Sequence, residues 1–417
     1  MTSFAIQNFG CRVNQAEAFA WAYEFQKRGL KLDGDFERSG LIIVNTCTLT
    51  GKADRDARRF IRRIIRLNPR AKVIVTGCLA ERNPGEIQMI PGVWKIVSNS
   101  EKSALPQVIF SEAPAESSGE ARVVAPFRSR ALLKVQDGCN MACSFCIIPR
   151  VRGKSASLPK DRILARIREL ADEGFREIVL TGIHLCSYGR DLRPKTSLLE
   201  LLREIDGREG GLRIRLSSLD PRLLPRPWLE HFASSKTISP HFHLSLQHGS
   251  ERVLQAMGRK STLAEYRDIM AFLRSRSPEA ALGADIIVGF PGETEEDFES
   301  TARFLTDSPL NYFHVFSYSP RPGTAASSLK PVDDKKRKER AARLRKLSQL
   351  KNLAFRKSLI GRELGGIVIQ KDAHGAEILT GNYIDIRLPS CSAPEGNEVK
   401  VKILSVSDKE TCGEMAG

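Results

Sequence analysis

The sequence ALLKVQDGCNMACSFC, residues 131–146, is the most informative stretch of this chain, because a short apolar run leads directly into Cys139, Cys143 and Cys146. Three soft thiolates so close together suit zinc or an iron–sulfur cluster. No histidine or fourth cysteine follows at zinc-finger spacing, so the local sequence does not complete a closed tetrahedral zinc site. The pattern predicts a strand that ends in a metal-binding loop.

Further strand-like runs follow these cysteines and alternate with helical patterns, for example over residues 161–173 and 263–274. The runs are EIVLTG, RIRLSS, FHLSLQ, GADIIVGF and YFHVFSYS. With the run before Cys139 they make six βα-like units, which predict an incomplete barrel related to the eight-stranded one. Such a barrel has its site at the carboxyl ends of its strands, where the three cysteines fall.

Three more cysteines, Cys11, Cys47 and Cys78, lie upstream, and each follows an apolar run: SFAIQNFG, GLIIVNT and AKVIVTG. Unbroken runs of this kind are typical of strands buried on both faces of a parallel sheet. Ligands gather beyond the carboxyl ends of such strands, so we expect the three thiols to converge in space. The alternative is three buried structural cysteines, since free cysteine is among the most buried residue types.

The remaining segments complete a prediction of three domains, with an overall α/β fold. Residues 1–110 form a parallel βα domain, residues 127–354 the partial (βα)6 barrel, and residues 355–417 a small antiparallel β-barrel. The small-residue and proline-rich stretch 111–126 reads as a linker.

The 417 residues carry a net charge of +16, and the positive charge is concentrated in two segments. Residues 51–72 have a net charge of +7 and residues 330–360 of +9, so the rest is close to neutral. Two basic segments on a neutral body favour a polyanionic partner, although solvated basic helices would look the same. No signal peptide and no apolar run near the ~20 residues of a membrane span is visible, so we expect a cytoplasmic protein with no membrane partner.

Four further stretches carry a family resemblance beyond the cysteines: CIIPRVRG, RIRLSSLDP, GFPGETEEDF and YSPRPGT. With them, the whole chain resembles the methylthiotransferases of the radical S-adenosylmethionine (SAM) superfamily. The resemblance implies SAM and two [4Fe-4S] clusters as cofactors. Cys139, Cys143 and Cys146 would hold the cluster that cleaves SAM, and Cys11, Cys47 and Cys78 an auxiliary cluster that carries the sulfur to be inserted. It also implies a C-terminal RNA-binding domain of the TRAM type, with the anticodon stem-loop of tRNA as partner.

The segments FGCRVNQAEA and VTGCLAE are most similar to the branch that converts N6-threonylcarbamoyladenosine in tRNA to its 2-methylthio derivative. The isopentenyl-adenosine branch usually shows methionine where this chain has Val13, and the ribosomal-protein branch shows Pro-Lys at Arg12-Val13. Those two branches remain alternatives, and a non-enzymatic RNA-binding protein with structural zinc is a remote one. The electron donor and the sulfur source stay unidentified.

The resemblance also implies SAM or substrate contacts at strand ends. These residues are Thr181, Gly182, Ser217, Gln247 and Gly289. Local turn chemistry would explain the same residues equally well. The family stretch PLQSGS appears here as SLQHGS, with Ser245 and His248 at the changed positions. His248 is either a donor in the pocket or a packing histidine.

Overall fold

The computed structural model describes residues 3–112, 129–207 and 211–416 of the chain. Its first part is an all-parallel sheet with strand order β2-β1-β3-β4-β5. The strands are β1 (Ser3–Asn8), β2 (Lys31–Leu32), β3 (Leu41–Thr46), β4 (Lys72–Gly77) and β5 (Val93–Val97). The helices are α1 (Arg12–Lys27), α2 (Gly51–Leu67), α3 (Cys78–Arg82), α4 (Pro84–Gln88) and α5 (Leu105–Glu112). Every residue of β3 is buried, which confirms the prediction from its unbroken apolar run.

The second part holds six parallel strands in the order β6, β8, β9, β10, β11, β12, with the short β7 antiparallel at one edge. The strands are β6 (Ala131–Asp137), β7 (Ala156–Ser157), β8 (Glu177–Gly182), β9 (Arg213–Leu216), β10 (His241–Gln247), β11 (Ala281–Val288) and β12 (Tyr312–Ser317). The helices are α6 (Ile148–Val151), α7 (Lys160–Asp172), α8 (Leu198–Asp206), α9 (Arg226–Ser234), α10 (Glu251–Ala256), α11 (Leu263–Arg276), α12 (Glu295–Asp307) and α13 (Asp334–Lys357). Between β9 and β10 the described residues show only isolated bridges.

Local sequence explains where several of these helices begin. Ser197, Thr262 and Thr294 cap α8, α11 and α12 with their hydroxyls, and an acidic side chain three residues later returns a bond to the cap backbone. These capping boxes satisfy backbone N–H groups that the first helical turn leaves unpaired. They therefore fix the residues at which these three helices begin.

The third part is a closed five-stranded barrel in the order β13-β14-β15-β17-β16. Its strands are β13 (Glu363–Asp372), β14 (Gly375–Thr380), β15 (Asp385–Leu388), β16 (Glu398–Val406) and β17 (Thr411–Met415). All pairings are antiparallel except β15 with β17, which closes the barrel in parallel. The predicted α/β fold with a parallel N-terminal sheet, partial barrel and small C-terminal barrel is confirmed.

The predicted domain boundaries remain predictions, but two can be compared with the elements. Residue 354 lies inside α13, which packs along β12 and reaches the C-terminal barrel. The predicted linker 111–126 falls mostly outside the described residues, and its first two residues end α5. No helix in the described ranges is long and apolar enough to cross a membrane.

A buried ion pair fastens the C-terminal barrel to the central one. Arg215 and Glu177 have fully buried side chains and share two hydrogen bonds of 2.8 Å, while Arg215 also donates to the carbonyl oxygens of Thr380 and Gly381. Burial alone would raise the pKa of Glu177, but Arg215 and then Arg130 more than offset it, so the pKa lies below its usual value. The carboxylate is therefore charged in the folded protein at neutral pH.

Glu177→Gln should destabilise the protein by about 3–5 kcal/mol, because two buried guanidinium groups lose their counter-ion. Urea unfolding followed by circular dichroism measures the loss. Since folding lowers the pKa of Glu177, the stabilisation is present above its unfolded pKa of about 4.3 and is lost as pH falls through the folded pKa. The control Glu230→Gln, whose partner Arg226 is exposed, should cost less than about 1 kcal/mol, and an equal cost for both would contradict the prediction.

Candidate active site

The three upstream cysteines lie at one edge of the N-terminal sheet, as predicted. Cys11 follows β1, Cys47 follows β3 and Cys78 begins α3 directly after β4. These strands are neighbours in a parallel sheet, so their carboxyl ends meet. The thiols are close enough for charge on one to affect another: burial raises the pKa of Cys47 to about 12, and Cys11 and Cys78 add to that effect.

Two glycines allow this convergence. Gly10, with φ of +98°, lies so near Cys47 that an added Cβ would fall 2.5 Å from its Cβ and 2.7 Å from its Sγ. Gly77, with φ of +97°, would place a Cβ 2.3 Å from the carbonyl oxygen of Thr46. Both conformations favour glycine, and each glycine directly precedes a cysteine of the upstream trio.

Two cations lie near this trio, Arg152 from the barrel and Lys102 from the N-terminal part. Arg152, which follows the second cysteine trio in sequence, has a fully buried side chain that donates to Asp137 Oδ1 at 2.8 Å and to Glu17 Oε1 at 3.0 Å. Burial raises the pKa of Cys78, while Arg152 and Lys102 oppose that rise. The Nε atom of Arg152 is buried and has no hydrogen-bond partner among the described residues. The arrangement suits thiolates, whose negative charge these cations would balance.

The downstream trio lies in the loop after β6. The backbone N–H of Met141 donates to Cys139 Sγ at 3.4 Å, and Ser144 ties the loop to the Met257 carbonyl oxygen at 3.0 Å. Burial raises the pKa of Cys146 to about 12, and the nearby Cys143 and Cys139 add to it. The three thiols therefore lie together beyond the carboxyl end of the first barrel strand.

The two trios lie next to each other, although they belong to different domains. Cys78 shares one apolar cluster with Cys139 and Cys146, formed around Ile147, Ile148 and Val151. Cys11 and Cys146 also line one cavity of about 560 Å³. The structure thus brings cysteines from both trios to a single site.

Four of the five strand-end residues predicted from the resemblance line this cavity: Thr181, Gly182, Ser217 and Gln247. Thr181 Oγ1 is buried without a partner among the described residues, so it is available to a ligand. Gly289 is not part of the lining, since its N–H donates to Glu293 Oε2 at 2.6 Å and Arg337 covers it.

The two positions that depart from the family stretch separate in the structure. Ser245 lines the cavity and donates to the carbonyl oxygen of Leu219 at 3.0 Å. His248 is fully buried away from the lining, where Nδ1 accepts from the N–H of Ser250 at 3.1 Å and Nε2 faces Glu293 at 3.4 Å. His248 is therefore a packing histidine.

Sequence reasoning missed a group on three neighbouring barrel strands that also lines the cavity. Asp285 Oδ1 lies 3.0 Å from His243 Nε2 and 3.5 Å from His314 Nδ1. Burial alone would raise the pKa of Asp285, but its bonds to the two imidazoles more than offset it, so the pKa lies below its usual value. The alternating histidines in HFH, residues 241–243, were the available signal, because period-two spacing puts both on one strand face.

The six cysteines fit iron–sulfur clusters better than single ions. A tetrahedral zinc site holds sulfur at about 2.3 Å and thus gathers its thiolates within about 4 Å of one another. Among the described residues, the only three metal-capable side chains with ligand atoms all within 4.8 Å of one another are His243, Asp285 and His314. Three thiols per trio, spaced more widely than zinc requires, suit a larger inorganic group such as a [4Fe-4S] cluster.

Comparison with known proteins finds two families along the chain. The Radical SAM superfamily matches residues 133–305, and a family described as uncharacterized protein family UPF0004 matches residues 3–98. Among solved structures, the radical S-adenosylmethionine methyltransferase TsrM from Kitasatospora setae is similar with a TM-score of 0.58. It is 14% identical and covers 78% of this chain and 75% of its own, which shows a shared fold.

Curated relatives match almost the whole chain. A threonylcarbamoyladenosine tRNA methylthiotransferase MtaB of Aquifex aeolicus (strain VF5) is 38% identical over 92% of this chain and 96% of its own. The protein of that name from Bacillus subtilis (strain 168) is 36% identical over 97% and 94%. A tRNA-2-methylthio-N(6)-dimethylallyladenosine synthase of Desulfitobacterium hafniense (strain Y51) is 31% identical over 89% and 88%.

Proposed function

This chain belongs to the radical SAM methylthiotransferase family, and we propose that it adds a methylthio group to carbon 2 of N6-threonylcarbamoyladenosine beside the anticodon of tRNA. As a member, it is an enzyme that transfers sulfur-containing groups and uses SAM and [4Fe-4S] chemistry. Relatives named for the threonylcarbamoyl substrate are 31% to 38% identical to this chain, and a dimethylallyl one is 31% identical, so the higher identities of 38% and 36% support the choice of substrate.

The observation that carries the proposal is the single cavity bordered by both cysteine trios. Cys139, Cys143 and Cys146 would hold one [4Fe-4S] cluster, and Cys11, Cys47 and Cys78 the other. When bound, a reduced cluster and SAM supply the radical that removes the hydrogen on carbon 2, which no side-chain base can remove usefully at neutral pH. Cys11 and Cys146 both line the cavity, so a base bound there would reach the two trios together.

The other lining residues would position the ligands and exclude water. Thr181 offers its unpartnered hydroxyl, and Ser217 and Gln247 present polar groups at later strand ends, where SAM or the base would lie. Gln247 has a φ of +76°, a strained backbone for a residue other than glycine. Such strain is typical of residues held in place for a ligand.

Mass spectrometry of tRNA nucleosides from cells with and without the gene tests the proposal. Loss of the 2-methylthio derivative of threonylcarbamoyladenosine alone is the expected result. Loss of the isopentenyl analogue instead would assign the chain to that branch. Unchanged tRNA, together with loss of a methylthio group from a ribosomal protein, would assign it to the protein branch.

Helix α2 is the better of the two basic segments for contact with RNA phosphates. Its exposed cations include Arg59, Arg62, Arg63 and Arg66, none of which has an ion-pair partner among the described residues. In α13, by contrast, Arg340 binds Glu293 at 2.7 Å and Arg343 binds Glu299. Part of the positive charge of residues 330–360 is therefore already neutralised within the protein.

Changing Arg59, Arg62, Arg63 and Arg66 together to glutamine should weaken tRNA binding and flatten its dependence on salt. For every phosphate that the variant no longer binds, the slope of log K against log salt should fall by about 0.7–0.9. Fluorescence anisotropy with labelled tRNA at several KCl concentrations measures both effects. Arg226→Gln, whose guanidinium already faces Glu230, is the control with an expected slope near that of the unchanged protein. If the variant with all four arginines changed keeps the steep slope of the unchanged protein, α2 does not contact the RNA phosphates.

Gly10→Ala should remove the upstream cluster and leave the downstream one. The added methyl group has no room beside Cys47 and the backbone conformation there favours glycine, so Cys11 or Cys47 must move. We expect the iron content after anaerobic reconstitution to fall from about eight to about four per chain. Gly34→Ala, which has no atom within 4 Å and no positive φ, is the matched control and should keep all the iron.

A further inference from the structure

The cavity contains a positive charge that no carboxylate of the described residues balances. Arg12 lies at the start of α1, directly after Cys11, and its Nη2 donates to the Tyr383 hydroxyl at 3.1 Å. It forms no salt bridge with any carboxylate of the described residues. Among the described lining residues the one carboxylate, Asp285, is bonded to two imidazoles, and the other guanidinium, Arg130, pairs with Glu177 at 3.1 Å. Arg12 is thus poised for an anion.

Tyr383 brings the C-terminal barrel to the same cavity in a strained conformation. Its φ is +66°, and only Gln247, also in the lining, shares a positive φ among the described residues other than glycine. The ring stacks on His241 with centroids 4.4 Å apart, and the guanidinium of Arg215 lies 5.1 Å from its centroid. A strained residue so firmly held is typical of a ligand-binding position.

The hydroxyl of Tyr383 adds a second donor to the guanidinium. Because Arg12 donates to the tyrosine oxygen, the proton of that hydroxyl is free to point elsewhere, and it has no acceptor among the described residues. An arginine and a phenol side by side match the two oxygens of a carboxylate. Arg12 is also bonded directly to Cys11 through the peptide chain, so a ligand held by Arg12 lies beside the upstream cysteine trio.

We propose that Arg12 and Tyr383 bind the carboxylate of the threonine moiety on N6 of the target adenosine and thereby select this base over one with an uncharged N6 substituent. The inference rests on the proposed function, because only the threonylcarbamoyl substituent carries that carboxylate. The N6 group and carbon 2 belong to one purine ring, so a single residue pair near Cys11 orients the carbon that is modified. An apolar substituent in the same place would leave the guanidinium unpaired, which disfavours it.

The test uses the full-length protein with reconstituted clusters and two anticodon stem-loop RNAs. One carries N6-threonylcarbamoyladenosine, and the other carries its methyl ester, which keeps the shape and removes the charge. Dissociation constants, and KM and kcat for 2-methylthiolation, are measured for the unchanged protein, Arg12→Gln, Arg12→Lys and Tyr383→Phe. Arg38→Gln, on an exposed arginine paired with Asp35, is the control.

We expect Arg12→Gln to weaken binding and lower kcat/KM for the charged RNA roughly 10- to 100-fold, with little change for the ester. Arg12→Lys should recover much of the binding and kcat/KM that Arg12→Gln loses, because lysine keeps the positive charge. Tyr383→Phe should lower kcat/KM for the charged RNA about 3- to 10-fold, because it removes only one donor. Iron content and absorption near 400 nm should stay unchanged. If Arg12→Gln nevertheless loses iron, the charged RNA and its methyl ester are compared with Arg12→Lys and Tyr383→Phe instead.

Three results would overturn the inference while leaving the proposed function intact. Equal losses for both RNAs would mean that Arg12 contacts a backbone phosphate, and a rise confined to the KM for SAM would mean that it contacts the methionine carboxylate. Unchanged binding in Arg12→Gln and Tyr383→Phe would mean that neither residue recognises the substrate. Failure of the unchanged protein to modify the threonylcarbamoyl RNA would instead refute the proposed function.

Discussion

Cys146→Ala should abolish formation of 5′-deoxyadenosine from SAM, with a fall of at least about 10³-fold to background. Cys146 is a proposed ligand of the downstream cluster and lines the cavity, so its loss removes both a cluster ligand and part of the site wall. Liquid chromatography with mass spectrometry measures 5′-deoxyadenosine after addition of a chemical reductant under anaerobic conditions.

The matched control for this prediction is Cys391→Ala. Cys391 is half-buried in the C-terminal barrel, outside both trios, and should keep the activity within a few-fold. Persistent 5′-deoxyadenosine formation in Cys146→Ala would contradict the assignment of the downstream trio. A colourless, zinc-loaded protein would favour the RNA-binding alternative without catalysis.

Cys78→Ala should separate the two halves of the reaction. We expect formation of 5′-deoxyadenosine to remain within a few-fold, while the 2-methylthio product disappears and iron falls from about eight to about four per chain. The reason is that Cys78 belongs to the upstream trio, whose thiols lie at the N-terminal sheet, whereas the downstream loop is tied to the barrel by the bond from the Ser144 N–H to the Met257 carbonyl oxygen. Iron analysis and nucleoside mass spectrometry measure the two outcomes.

Two controls make the Cys78 result decisive. Cys412→Ala, in strand β17, should retain both activities and all the iron. Cys47→Ser repeats the test at a second upstream position where the oxygen is a poorer ligand for iron. Methylthiolation that survives in both upstream variants would show that the upstream trio carries no sulfur. If the unchanged protein itself holds only about four irons after full reconstitution, the two-cluster proposal is wrong.

The positions of the cysteines relative to the strands were predictable from the sequence. Apolar runs that end at Cys47 and Cys78 favour strands of a buried parallel sheet, and parallel strands present their carboxyl ends at one edge. The spacing of Cys139, Cys143 and Cys146 indicated a metal site, whereas the metal-binding role of the upstream trio came from the resemblance, and both stay predictions. His248 shows the opposite case, since the sequence left its environment open and the structure buries it against Glu293.

The sequence by itself determined the three kinds of domain and the grouping of cysteines into two trios, because apolar periodicity and cysteine spacing record local constraints on the chain, and its motifs indicated the family through a resemblance. Only the tertiary structure decided that the trios border one cavity, that Asp285 lies between His243 and His314, and that Arg12 meets Tyr383 across 371 positions of sequence. It also showed that Arg340 and Arg343 of the basic segment are already paired with acids. Contacts of this kind depend on how strands, helices and domains distant in sequence pack together, and no local pattern encodes which side chain will face which partner.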